Sequence, residues 1–399
     1  MKFCFLFFLC SVVVGQELIQ LRDLLADGQK NELPRNYPYG IYISATSDLQ
    51  DLLVNITLVT EGLKQINLLD LKNSQLVQNT GELLAYQIDY FSYITTSLTS
   101  YEMKFLYGVI FISTTKQLQD PNFHVRDVSA AQAQGLVGSG FPDTTTLYLN
   151  TNMAVYPYRT SIISHWNQPA NTKIFIYAGV PTDTVEGKIS HIFCNPMITA
   201  SFLKFFSNVE TFSLSLAAFY IKTVDGGTAF DIRAGNYLVG NSTTALTTTG
   251  FYMKNVNRTD ATVTIYTMRE ANKSGTTGAN VVGALPRTDG RVKLSVLDGR
   301  EIHYDGEVTP SKISFPWSTP NIGEVLEITS LAGEAGYFYV QYFVMQGNPT
   351  FETTIAPGGE TVNPSLPTFP GGVETTTKST ASAQFFIVIL TLLACCFLN

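Results

Sequence analysis

From about residue 39 the chain alternates apolar and polar positions with a period of two. Val, Ile, Tyr, Phe and Thr dominate the runs YGIYISAT, LLVNITLV, LLAYQIDYFSYITT and MKFLYGVIFISTT. Clusters of Gly, Asn, Asp and Ser break these runs at short intervals, the pattern of antiparallel strands in a sandwich or barrel. Ahead of them, ELIQLRDLLADG places Leu18, Leu21 and Leu25 on one helical face and ends at Gly28, which predicts a short amphipathic helix. Residues 17–118 therefore read as a first β-sandwich domain. Residues 119–143 change texture, with Asp120-Pro121, the small-residue run SAAQAQG and then GSGFPD. They read as a connector with a helical turn at Asp127 to Gln134.

Strand texture returns with TTLYLNT, AVYPYRTSII, KIFIYAGV and HIFCNPMITASFLKFF, and continues through TFSLSLAAFYIKTVDGGTAFDIR to the nearly all-aromatic or branched GYFYVQYFVMQG. Asp225-Gly226 and Asp298-Gly299 each separate two alternating runs, the sequence signal of a hairpin. These residues suit two further sandwich domains, 144–245 and 246–348, or one larger domain over 144–348. Residues 349–383 are rich in Thr, Ser, Pro and Gly with almost nothing to bury, and predict a disordered Ser/Thr/Pro stalk. The expected fold class is all-β, with tandem antiparallel β-sandwich domains ahead of that stalk.

Both ends carry apolar runs of another kind. Lys2 precedes an apolar segment from Phe3 to Val14, broken by Ser11, with Gly15 ahead of Gln16. This reads as a secretory signal peptide over residues 1–15, cleaved after Gly15. The carboxyl end, residues 384–399, is a second hydrophobic tail. Its apolar core Phe385–Leu398 is 14 residues long, short of the ~20 that a spanning helix needs. It fits a GPI signal better, with candidate attachment at Ser379 or Gly372, although a single membrane span remains open. The expected location is the secretory pathway and the extracellular face of the plasma membrane.

That location changes how the other residues are read. Four Asn-X-Ser/Thr sequons, at Asn55, Asn241, Asn257 and Asn272, become expected N-glycosylation sites. Of the five cysteines, Cys4 and Cys10 lie in the signal and Cys395 and Cys396 in the tail, which leaves Cys194 as a buried small hydrophobe. The net charge of -7 and the absence of adjacent basic residues argue against nucleic acid.

Candidate chemistry is sparse. His124, His165, His191 and His303 form no HxH or HExxH pattern, and Gly138-Ser139-Gly140 lacks the first Gly of a nucleophile elbow. No catalytic, cofactor-binding or metal-ligating residue is expected, and the reading is of a non-enzyme. Asp289, Asp298, Asp305 and Glu307 fall in turn regions and could bind Ca²⁺, but turn geometry alone explains the aspartates. Trp166 and Trp317 could line a carbohydrate site, although a core role is the simpler reading. A secreted hydrolase using His165 or His303 with a carboxylate is the alternative, and a structural surface-coat protein is another.

The opening YPYGIYISAT, the closing runs MKFLYGVIFIST and GYFYVQYFVMQG and the tail TTTKSTASAQFFIVIL resemble the secreted CUB-like proteins of roundworms. The paired cysteines usual in CUB domains are absent, and no functional residue is carried over. The resemblance implies sandwich domains of CUB-like or jelly-roll-like type and a non-enzymatic surface protein that binds an extracellular protein or glycan ligand, in a group associated with innate immunity and responses to stress.

Overall fold

In the computed structural model, the described residues are 17–46, 50–62, 64–77, 80–128, 134–135, 144–151, 159–181, 191–198, 203–236, 242–244, 247–253, 262–267, 274–281, 292–298, 301–308, 317–318, 321–322, 325–330 and 339–347. The chain divides into two units, Met1–Asn348 and Pro349–Asn399, and every described residue belongs to the first. The segments expected to be a signal peptide, a stalk and a hydrophobic tail lie outside the described residues.

The first part of the chain forms strands β1 (Glu17–Gln20), β2 (Asn31–Glu32), β3 (Tyr39–Ala45), β4 (Ile56–Thr60), β5 (Lys64–Asn67), β6 (Tyr86–Ile88), β7 (Ser92–Thr96) and β8 (Gly108–Ile112). Helices α1 (Gln50–Leu53), α2 (Leu68–Gln75) and α3 (Thr115–Gln119) accompany them. The strands pair antiparallel in two sheets, β1-β8-β3-β6 and β2-β7-β4-β5. Between the sheets lies a core of Ile41, Ile43, Leu58, Ile94 and Ile110, with Leu68 and Leu71 of α2 packed into it. Burying side chains of this size is worth roughly 1.5–3 kcal/mol each, and so provides the stability that disulfides supply in smaller secreted domains.

The second part holds β9 (Phe123–Asp127), β10 (Gln134–Gly135), β11 (Thr145–Leu149), β12 (Arg159–Asn167), β13 (Lys173–Ala178), β14 (Phe193–Asn195), β15 (Met197–Ile198), β16 (Leu203–Lys204), β17 (Phe212–Leu214), β18 (Ala218–Val224) and β19 (Ala229–Asn236). Its two main sheets run β14-β13-β18-β11-β9 and β10-β19-β12-β17 around Tyr148, Phe193, Phe212, Phe219 and Phe230. The third part holds β20 (Ser242–Thr244), β21 (Thr248–Met253), β22 (Thr262–Thr267), β23 (Ser274–Val281), β24 (Val292–Asp298), β25 (Glu301–Val308), β26 (Trp317–Ser318), β27 (Asn321–Ile322), β28 (Val325–Ser330) and β29 (Tyr339–Gly347). These form the sheets β20-β22-β28-β24-β25 and β21-β29-β23-β26, with β27 also on β23. Pairing is antiparallel except for β9 with β11 and β20 with β22. The fold is all-β.

The sheets bury both faces where the three parts meet. In β8, Ile110 and Ile112 face the first core, while Val109 and Phe111 join Tyr42, Leu147, Leu149, Ala218 and Tyr220 in a second apolar layer against β11 and β18. Phe251 and Met253 of β21 enter the second part's core in turn. Strands buried on both faces need apolar residues at both parities, and this accounts for the unbroken runs GVIFI and YGIYI.

Buried carboxamides close strand edges at these junctions. Gln75 of α2 accepts from Ile43 N–H (3.1 Å) and donates to Ile41 C=O, beside the part of β3 that β6 does not cover. Asn195 holds Phe206 through both its N–H (3.0 Å) and its C=O (2.9 Å). Gln341 of β29 accepts from Cys194 N–H (3.0 Å) and donates to Cys194 C=O (2.7 Å) on the edge strand β14. Each amide presents one donor and one acceptor, as a neighbouring strand would.

Three local expectations are corrected. The amphipathic helix over 17–28 is instead β1, paired with β8, followed by a single 3₁₀ turn over Leu21–Asp23. Leu21 is fully buried over Gly108, so pairing to a core strand overrides the weak helical preference of so short a segment. The connector expected over 119–143 carries β9, which pairs with β11 and also bridges residues 81–83. Both ends of its expected helical turn, Asp127 and Gln134, lie in strands. Asp225-Gly226 does turn the chain, with φ 62° and 149°, but the flanking β18 and β19 lie in different sheets, so this is a crossover. The second expected hairpin does form, with Asp298 of β24 opposite Glu301 of β25.

Candidate interaction surface

The three-residue link Asp89-Tyr90-Phe91 passes from β6, in one sheet of the first part, to β7, in the other. A link this short at the end of a sandwich leaves no room to fold its side chains inward. Tyr90 is 64% exposed and Phe91 38%. Their neighbours are organised rather than random. Arg35 lies over the Phe91 ring with its Cζ 5.5 Å from the centroid, and Lys30 lies over Tyr93 with its Nζ 4.6 Å from the centroid. Both are within the ~6 Å reach of a cation–π contact. Glu32 fixes Arg35 through a 2.9 Å bond, and that carboxylate pushes the guanidinium pKa further up. Phe91 and Tyr93 approach at 6.2 Å, and Tyr37 stacks on Tyr39 at 5.8 Å nearby in sequence. The surface combines an exposed phenol, apolar rings and fixed cations, the composition enriched at recognition hot spots.

The sequence reading did not single out these residues. Its available signal was the pair of aromatics in a tight turn where a polar pair is usual.

The expected sites fall as follows. Asn55 is exposed in the turn between α1 and β4, and its Nδ2 donates to Asp51 C=O at 2.8 Å. Asn241, Asn257, Asn272, Gly372 and Ser379 lie outside the described residues. His165 occupies a bulge in β12 with φ 51°, where the register to β19 slips by one residue. The bulge turns Trp166 inward to stack on Phe230 at 5.2 Å, half-buried against the second part's core. It turns His165 outward, 2.6 Å from Asp231 Oδ2. Ser164 Oγ is 3.5 Å from the same Nδ1. Nucleophilic catalysis needs the acid and the nucleophile on opposite ring nitrogens in a sheltered site, whereas this imidazole is 80% exposed.

His191 packs edge-on to Phe175 at 5.5 Å, and burial pushes its pKa down. His124 holds Glu82 at 2.9 Å where β9 meets the first part. His303 lies in β25, and Asp298, Asp305 and Glu307 in β24 and β25, with side chains outside the described residues, as is Asp289 altogether. Among the described residues no group of three or more His, Cys, Asp or Glu could hold a metal ion. No helix among them is long and apolar enough to cross a membrane.

Residues 36–394 match the family model described as transmembrane glycoprotein. The chain belongs to the transmembrane glycoprotein family. No curated protein matches it. Among solved structures, the CUB1-EGF-CUB2 domain of human MASP-1/3 is similar at 10% identity, covering 53% of this chain and 99% of that one with a TM-score of 0.17. The corresponding domains of rat MASP-1 are similar at 9% identity over 55% and 99%, with a TM-score of 0.18. The structure of Sulfolobus Turreted Icosahedral Virus is similar at 11% identity over 82% of each chain, with a TM-score of 0.16. At such TM-scores these likenesses carry no argument here. The family match ties the chain to membranes and to glycosylation, and the all-β fold is read from its own strand pairing.

Proposed function

We propose that this chain is a non-enzymatic, glycosylated recognition or adhesion protein at the outer face of the plasma membrane. In this reading the tail holds it there through a GPI anchor, and the first pair of sheets presents the binding surface. The observation that carries the proposal is the turn Asp89-Tyr90-Phe91, with Tyr90 exposed, Arg35 held by Glu32 over Phe91 and Lys30 over Tyr93. An exposed phenol beside held guanidinium and ammonium groups suits an extracellular protein or glycan partner that offers both apolar and acidic groups. The family match supports membrane attachment.

The test is adhesion of cells displaying the full chain to immobilised oligosaccharides and to immobilised extracellular matrix proteins, comparing wild type with Tyr90→Ser and Arg35→Glu. Both positions are exposed, so folding is preserved. Loss of a hot-spot side chain typically weakens binding about tenfold or more, and the expected result is a drop of that size on at least one substrate. Equal adhesion by all three chains, at equal surface levels, would sink the proposal.

A further inference from the structure

The first part of the chain exposes a second apolar group at the opposite end of β7 from Tyr90. Leu25 is 51% exposed, Val54 48%, Tyr101 68% and Phe105 45%, with Tyr101 and Phe105 edge to face at 5.2 Å. Three backbone segments meet there. Asn55 C=O accepts from Ser97 N–H (3.2 Å) and Thr96 Oγ1 (3.0 Å). Asp27 N–H donates to Leu98 C=O (3.0 Å) and Gly28 N–H to Thr96 C=O (2.8 Å). The loop carrying Leu25, the turn carrying Val54 and Asn55 and the segment leading to Tyr101 are thereby tied to the same end of one strand. Exposed apolar side chains gathered at one end of a sandwich commonly mark an interaction site.

We propose that the occupant is the N-linked glycan of Asn55, folded back over Tyr101, Phe105 and Leu25. The inference rests on the reading that Asn55 is glycosylated. Asn55 is the sequon residue of Asn55-Ile56-Thr57; it follows Val54 and is tied by its carbonyl to Thr96 and Ser97, at the end of β7 that carries this group. Its Nδ2 bond to Asp51 C=O sets the direction of the side chain. Glycosylation replaces one of the two amide hydrogens, and the other remains to donate to Asp51 C=O and orient the first sugar when it is the one that faces that carbonyl. A pyranose presents a face of C–H groups that packs on aromatic rings as apolar surface does, while its hydroxyls stay in water. The glycan then makes this end of the molecule non-adhesive and leaves the Tyr90 end open.

The experiment is hydroxyl-radical footprinting of the full chain, read residue by residue by mass spectrometry, which also reports occupancy at Asn55. Wild type is compared with Thr57→Val, which removes the sequon but keeps Asn55 and its bond, and with Thr57→Ser, which keeps the sequon. Tyr90, comparably exposed at the far end, is the internal reference. Expected are occupied Asn55 in wild type and Thr57→Ser, and labelling of Tyr101 and Phe105 that rises at least threefold relative to Tyr90 in Thr57→Val. Occupied Asn55 with unchanged relative labelling would overturn the inference. So would an equal rise at Tyr90. An unoccupied Asn55 in wild type would overturn the glycosylation reading itself.

Discussion

Replacing Gln341 by Leu removes the side chain that closes the edge of β14. Gln341 is 1% exposed and Cys194 fully buried, so Cys194 N–H and C=O cannot turn to water when the carboxamide is lost. Each buried backbone group left unsatisfied costs roughly 1–3 kcal/mol, for a total of about 2–6 kcal/mol over the two. Thr249 Oγ1, 3.2 Å from Gln341 Nε2, loses a contact as well. Bulk unfolding is a poor measure for a chain with three coupled cores, because such chains need not unfold in one step. Local opening at the Cys194 thiol is a better one. If the clamp works as described, Gln341→Leu raises the open population, and alkylation of the Cys194 peptide under native conditions accelerates by at least about 30-fold, since 1.4 kcal/mol is tenfold. Gln341→Glu supplies a sign test. A carboxylate there still accepts from Cys194 N–H but repels Cys194 C=O, whereas the protonated acid can donate to it. The folded pKa of that group is therefore raised above the unfolded ~4.3. Its stabilising bonds are complete below about pH 4.3 and are lost as pH rises through the folded value. A Gln341→Leu labelling rate within threefold of wild type would refute the reasoning.

Three further outcomes are expected. The bond from His124 comes first, and Arg126 adds to it, in holding the Glu82 carboxyl below the usual range, while burial holds His191 below its own. Both depressed groups contribute stability above their unfolded values of ~4.3 and ~6.5 that is lost as pH falls through the folded ones, and Glu82→Gln should flatten the acid limb of Tm against pH. In Gly108→Ala the new Cβ would meet Leu21 Cδ1 at 2.6 Å, Ala45 Cβ at 2.8 Å and Ser44 O at 2.9 Å, so a loss of roughly 1–3 kcal/mol is expected by calorimetry. The Tyr148 hydroxyl is fully buried with no hydrogen-bond partner among the described residues and its pKa is pushed up by burial, so Tyr148→Phe should leave Tm unchanged or raise it.

The strands were legible because their sequences are dense in β-branched and aromatic residues, and the doubly buried ones stand out as unbroken runs. What sequence period could not show is which sheet each strand joins. Asp225-Gly226 has the chemistry of a tight turn, but only tertiary pairing decides that β18 and β19 part company there. At the amino end, Leu18, Leu21 and Leu25 satisfy a helical spacing over too few residues to outweigh pairing with β8 and the space over Gly108. The carboxamide clamps were invisible for another reason: a Gln in an apolar strand reads as a surface position until its backbone partner, 147 residues away for Gln341 and Cys194, is brought beside it. The exposed rings of the Asp89-Tyr90-Phe91 turn were hidden within the run LLAYQIDYFSYITT, where aromatics read as strand.

The most direct test of a surface glycoprotein held by a lipid is treatment of intact cells expressing the full chain with phosphatidylinositol-specific phospholipase C, after surface labelling. A lipid-held chain is expected to appear in the medium as labelled, glycosidase-sensitive protein. Retention of the labelled chain in the membrane, while a known lipid-anchored control is released, would contradict a lipid anchor.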